Sequence, residues 1–170
     1  MRRGATFLLV AVVAAVLAVG TAGVPAVQST APGRSQLEKS LAELINQTRA
    51  ERGLRTLRRS PALERAAASH ARAMARLGFF AHESANGTSP FERIRRHYRG
   101  SSVGETLLWR SPDVTPEEAL ALWLQSPPHR RVLLGSAFRV VGLAAVHVEG
   151  APGDFNGLDV TIVVADFGAP

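Results

Sequence analysis

The sequence predicts an α+β domain in which helices pack on a small antiparallel sheet. Three observations carry this prediction. From Leu37 to the region before Gly135, apolar residues recur at helical spacing. Ser60-Pro61, Ser89-Pro90 and Thr115-Pro116 read as helix starts. Beyond Gly135, Val140 to Val148 and Leu158 to Phe167 are rich in valine and isoleucine, and Asn156-Gly157 between them is a hairpin turn signal.

The N-terminus carries a targeting pattern. Arg2 and Arg3 precede a charge-free apolar run from Ala5 to Val19, followed by the small residues Gly20, Thr21, Ala22, Gly23 and Ala26. A charged start, an apolar stretch and a small-residue exit describe a secretory signal peptide. The run falls short of the ~20 residues of a membrane span, but no charge intervenes before Arg34, and counting on through Val27 reaches that length. Residues 1–26 are therefore read as a signal peptide or a retained N-terminal anchor. Either one puts the rest of the chain outside the cytoplasm. Residues 27–36, with Pro32 and Gly33, read as a linker, and 37–170 as one domain.

Within the domain, Leu37, Leu41, Leu44, Ile45 and Thr48 define a first amphipathic helix that Gly53 stops. The second helix starts at Ser60-Pro61, where serine can cap and proline loses no needed hydrogen bond. Leu63, Ala66, Ala67, His70, Met74 and Leu77 share its apolar face, and Gly78 closes it. Ser89-Pro90-Phe91-Glu92 is a capping box opening a short helix with Phe91, Ile94 and Tyr98 on one side. Thr115-Pro116-Glu117-Glu118 repeats that signature ahead of Ala119, Leu120, Leu122 and Trp123, and Pro127-Pro128 ends the helix. Leu107 to Trp109 suits a third, shorter strand.

Composition narrows the function classes. Hydrophobic residues make up 46% of the 170 residues, enough for a packed core. There is no cysteine, so disulfides, thiolate metal sites and cysteine nucleophiles are excluded. The formal charge is +6, which favours anionic surfaces such as cell-wall polymers or lipid headgroups. The arginines are scattered, and no basic stripe with interleaved aromatics appears, so nucleic acid is not the expected partner.

His82, Glu105 and His129 stand at element ends, where a rigid scaffold presents functional groups: His82 beyond a glycine helix stop, His129 beyond a proline stop, Glu105 at the entry to a strand. Imidazole can ligate metal, shuttle a proton or donate to an anion, and a nearby carboxylate can orient it or complete a zinc site. Separations of 23 and 24 residues form no local ligand motif, so a shared site and ordinary surface histidines both stay open. Other signals fail their context tests. Gly100-Ser101-Ser102-Val103-Gly104 lacks the preceding strand of a nucleophile elbow. His82-Glu83 has Asn86 where a zincin needs histidine. Asp154, Asn156 and Asp159 lead to Ala165 where a calcium loop needs glutamate. His70 reads as a hydrogen-bonded core histidine and Trp109 and Trp123 as core; His97 and His147 carry no motif.

In order along the chain, Leu44-Ile45-Asn46-Gln47-Thr48-Arg49, Ser69-His70-Ala71, Gly78 with Phe80 and His82, Ser89-Pro90-Phe91, Gly104-Glu105, Trp123 with Ser126-Pro127-Pro128-His129-Arg130, Gly142 and Asp166-Phe167-Gly168 resemble the bacterial type of CAP superfamily domain (cysteine-rich secretory protein, antigen 5, pathogenesis-related 1; also called SCP-like). The resemblance runs from Leu37 to Gly168 and implies an α-β-α sandwich. It also implies a cleft with two histidines and two acidic residues that can take a divalent ion such as zinc. His82 and His129 match the histidines and Glu105 one acid. Ser126 stands about where the second acid falls, Thr106 replaces an asparagine and Pro128 a glycine.

The expected function is an exported, monomeric, non-enzymatic binding module using His82, Glu105 and His129. Its partner would be an envelope glycan, a lipid or a protein, and it would touch the membrane only through an uncleaved N-terminal segment. The alternative is a metal-assisted hydrolase in which the same three residues hold zinc. A third reading makes them a purely structural polar network.

Overall fold

The sheet is built around β4 (Val160–Ala169), which pairs antiparallel with β2 (Ser102–Arg110) on one side and β3 (Val140–Val148) on the other. The computed structural model describes residues 32–170, so the expected signal peptide or anchor lies outside the described residues. Both β3 and β4 are buried on two faces, which explains their continuous apolar runs. Alternate residues serve two cores. Val141, Leu143, Ala145, Val163, Ala165 and Phe167 pack with Leu41, Ile45, Trp123 and Leu133. Ala144, Val146, Val148, Ile162 and Val164 pack on the other side with Ala67, Ala71 and Met74.

Five helices cover these faces: α1 (Pro32–Ala50), α2 (Pro61–Leu77), α3 (Pro90–Arg95), α4 (Pro116–Gln125) and α5 (Pro127–Leu133). The three proline-marked starts hold. Ser60 caps α2 through the Leu63 amide, and Ser89 and Thr115 form reciprocal capping boxes with Glu92 and Glu118. Gly78 ends α2 in the left-handed conformation, with φ 70°. The result is the expected α-β-α sandwich.

Several details differ from the sequence reading. α1 begins at Pro32, inside the expected linker, because proline at a first helical position forfeits no bond. The sheet is not wholly antiparallel. Arg58–Arg59 forms β1, a two-residue parallel edge on β3, held by Arg58 N–H to Arg139 O (3.0 Å) and Ser60 N–H to Val141 O (2.8 Å). β2 spans nine residues because its whole length pairs with β4, although Gly104-Glu105-Thr106 carries no strand pattern. The hairpin loop is longer than a two-residue turn: residues 153–155 form a 3-10 turn that buries Phe155 beside Trp109. Leu77 and Phe91 are exposed, and Arg95 stacks over the Phe91 ring. Among the described residues, no helix is long and apolar enough to cross a membrane.

Candidate functional site

Each candidate residue is held by a different element. His82 follows the loop after α2. That loop is fixed by His70 Nε2–H donating to Ala81 O (2.9 Å), Phe80 N–H donating to Asp154 Oδ2 (2.9 Å) and Asp154 N–H donating to Gly78 O (2.9 Å). Glu105 lies on β2, with its side chain turned toward that loop and α3. His129 lies in the first turn of α5, not in a loop: the prolines that stop α4 also start α5. The position of α5 is set by Arg49, fully buried at the end of α1, which donates to Leu133 O (2.6 Å) and Gly135 O (3.2 Å).

These elements bring two of the three residues into direct contact. His82 Nδ1–H donates to Glu105 Oε1 at 2.9 Å. His129 sits beside His82 with ring centroids 6.3 Å apart and planes tilted by 51°, and no hydrogen bond links it to either partner among the described residues. The other Glu105 oxygen is taken by Arg93, whose guanidinium also donates to His82 O (2.7 Å) and Ser84 Oγ (3.3 Å). Arg93 and Glu105 are each only 7% exposed. Across the strands, Glu105 is in register with Asp166, which is fully buried and in register with Gly142.

The charges follow from these contacts. The Glu105 hydrogen bond raises His82 above its ordinary value against some burial. Burial would raise Glu105, but the His82 hydrogen bond and the Arg93 charge outweigh it and hold the carboxyl below its usual range. Burial, then the charge of His82, lowers His129. Burial and the adjacent Glu105 charge push Asp166 well above the normal carboxyl range. Neither Asp166 oxygen has a hydrogen-bond partner among the described residues, in keeping with an environment that favours the protonated acid. The site thus pairs a half-exposed His82 that holds its proton more strongly than a free imidazole with a His129 that holds its own less strongly.

Among the described residues, no cluster of three or more histidine or acidic side chains is placed to hold a metal. Both oxygens of Glu105 already accept from cationic donors and His82 Nδ1–H is spent on Glu105, so His82 Nε2 and the His129 ring are the nitrogens left to meet a ligand.

Next to the site, a groove of about 360 Å³ runs between β2 and α4. Phe80, Leu107, Trp109, Leu122 and Trp123 line it, with polar groups from Arg110, Ser126 and His129. Trp123 is core, as expected, and its Nε1–H donates to the edge carbonyl of Leu107 at 3.1 Å. Trp109 is only partly buried and forms a groove wall, edge-on to Phe155.

The chain is thus an α-β-α sandwich with a bonded His–Glu pair and a second histidine beside it. The model of the cysteine-rich secretory protein (CAP) family matches residues 42–167, and the chain belongs to that family. YkwD of Bacillus subtilis, an uncharacterised protein, is 29% identical over 113 residues, covering 66% of this chain and 43% of the relative. The chain thus spans less than half of that relative's length. Among solved structures, an outer surface protein of Borrelia burgdorferi aligns with a TM-score of 0.67 at 18% identity, over 85% of this chain and all of that one. An extracellular SCP-domain protein of Bacillus anthracis aligns with a TM-score of 0.65 at 21% identity, over 84% of this chain and 45% of the other.

Sequence reasoning missed Arg93 and Asp166 as site residues. Asp166 had a usable signal: a carboxylate inside an apolar strand run must be neutral or partnered. Arg93 had none, because a short helix of alternating arginines does not say which one turns inward.

One consequence is measurable at Asp166. Its raised value means that the folded state keeps a proton the unfolded chain loses. Stability therefore falls as pH rises above the free carboxyl range, by about 1.4 kcal/mol per pH unit until the folded carboxyl itself ionises. Asp166→Asn removes that penalty and keeps a donor toward Glu105. The variant should melt higher than wild type at pH 7, with the gain vanishing near pH 4. An unchanged gap between variant and wild type from pH 4 to pH 7 would show that burying Asp166 carries no such penalty.

Proposed function

We propose that this chain is an extracytoplasmic, non-enzymatic binding module whose groove between β2 and α4 takes an amphipathic, lipid-like molecule. The observation that carries this reading is the groove itself: its walls are apolar and aromatic, and its few polar groups include His129, beside His82. An apolar body would lie along Leu107, Trp109 and Leu122, and a polar head would meet the imidazoles. The commitment of Glu105 to Arg93 and His82 supports binding over hydrolysis, since it leaves that carboxylate without a free oxygen to act as a base. The N-terminal targeting pattern supports a place outside the cytoplasm. So do the relatives described as an outer surface protein and an extracellular protein.

The test is titration of the protein with anionic phospholipid, sterol and envelope glycan, followed by tryptophan fluorescence. Saturable quenching by a lipid or sterol, weakened about tenfold by Trp109→Ala, is the expected result, since a large aromatic wall contributes about 1.5 kcal/mol or more. Saturation by the glycan alone would replace the lipid reading. No saturation by any of the three would remove the binding role.

A further inference from the structure

A second pocket, of about 340 Å³, lies on the other side of Arg93, between α2, the loop at 82–88 and α3. Its lining is unlike that of the groove. Arg93, Arg96, His70 and His97 contribute basic nitrogens, and Ser69, Ser84, Asn86 and Thr88 contribute hydroxyl and amide groups. No carboxylate and no Phe, Tyr or Trp ring lines it. The nearby Glu92 is folded back onto Ser89 by the α3 capping box, and Arg96 forms no ion pair among the described residues. Arg96 thus brings an exposed positive charge to this pocket, offset only at longer range by Glu92.

Two nitrogens of its lining residues lie buried behind this surface. His70 is 1% exposed, and its Nε2–H is spent on Ala81 O, so Nδ1 holds a lone pair that no donor meets. Arg93 is also more than nine-tenths buried, and its Nε–H has no acceptor. Both atoms are closed off from solvent, so they belong to the packing behind the pocket and not to the surface a ligand would touch. The pocket thus offers cationic donors for an oxyanion, and hydroxyls and an amide that can both give and accept. Between these polar groups, Ala73, Leu77 and Ala85 supply apolar surface against which the face of a ring can lie.

We propose that this pocket is a second ligand site, distinct from the groove, which takes an acidic saccharide: its oxyanion on Arg96 and His97, its ring hydroxyls on Ser84, Asn86 and Thr88. A sugar ring with one carboxylate or phosphate matches every class of group in the lining. A nucleotide would find no ring on which to stack its base. A bare fatty chain would leave Arg96, Ser84, Asn86 and Thr88 without partners.

The experiment is isothermal titration of the full chain with glucuronic acid and glucose 6-phosphate as probes, and with glucose and inorganic phosphate as controls. The expected result is saturable binding of both acidic sugars, clearly tighter than glucose or phosphate alone. Arg96→Ala should weaken it about tenfold, the loss of one charge-assisted hydrogen bond. Arg96 is exposed, so the variant should fold normally, which its melting temperature will check; Arg96→Lys should restore part of the affinity. Trp109→Ala should leave sugar binding intact, so that failure here and failure of the groove reading are separable. Absence of saturation by both acidic sugars overturns the proposal, as does an Arg96→Ala variant that binds them normally. Inorganic phosphate binding as tightly as glucose 6-phosphate would overturn the saccharide part, and glucose binding as tightly would overturn the anionic part.

Discussion

Replacing Arg93 by methionine should destabilise the fold by about 3–5 kcal/mol at neutral pH, the usual result of stranding one member of a buried ion pair. Methionine keeps much of the side-chain volume, so the loss reports charge and hydrogen bonding more than packing. In the variant, Glu105 keeps only the His82 hydrogen bond while remaining almost fully buried next to Asp166. Its carboxyl, held down in the native protein partly by Arg93, will rise. Because the native Glu105 value is depressed, its contribution is fully present above the free carboxylate range of ~4.3 and is lost as pH falls through the folded value. The gap between wild type and variant should therefore narrow on acidification. Adding Glu105→Gln to the variant should recover much of the loss, since the stranded charge is gone. Urea denaturation at pH 7 and at pH 4 checks both points. A loss below about 1 kcal/mol at pH 7, the value of an exposed pair, would mean that Arg93 does not neutralise a buried charge.

Gly142→Ala should be at least as damaging, about 3 kcal/mol or more, because the obstacle is backbone and cannot swing away. A methyl at Gly142 would run into the Glu64 amide nitrogen and the Leu63 carbonyl carbon, where the first turn of α2 lies directly on β3. Lifting α2 would disturb the Ser60 cap and the Leu63, Ile94 and Val140 contact. It would also open the strand position in register with Asp166. Gly150→Ala is the matched control. That residue has a positive φ of 58° but open space around it, so it should show only the ~1–2 kcal/mol of left-handed strain. Equal losses at the two positions would show that close approach of α2 to β3 is not what Gly142 provides.

Much of the architecture was legible before any coordinate. The helix starts were local chemistry: serine or threonine followed by proline, with glutamate placed to close two of the boxes. β3 and β4 were legible because strands buried on both faces must be apolar at every position. What escaped was structure set by partners far along the chain. β1 is two arginines with no strand character, recruited by the edge of β3. The full length of β2 depends on β4. α5 was hidden because its two prolines are as good a helix start as they are a helix stop.

The same division runs through the site. By itself, the sequence determined the candidates, His82, Glu105 and His129, since residue type and position at element ends are local properties. It also determined the absence of thiol chemistry. The tertiary structure alone decided that Glu105 bonds to His82 and Arg93, that His129 stands beside the pair without bonding to it, and that Asp166 lies buried against Glu105. The physical reason is that charge interactions depend on distance and burial, and both are set by strand register and helix packing across dozens of residues. No spacing in the chain encodes either quantity.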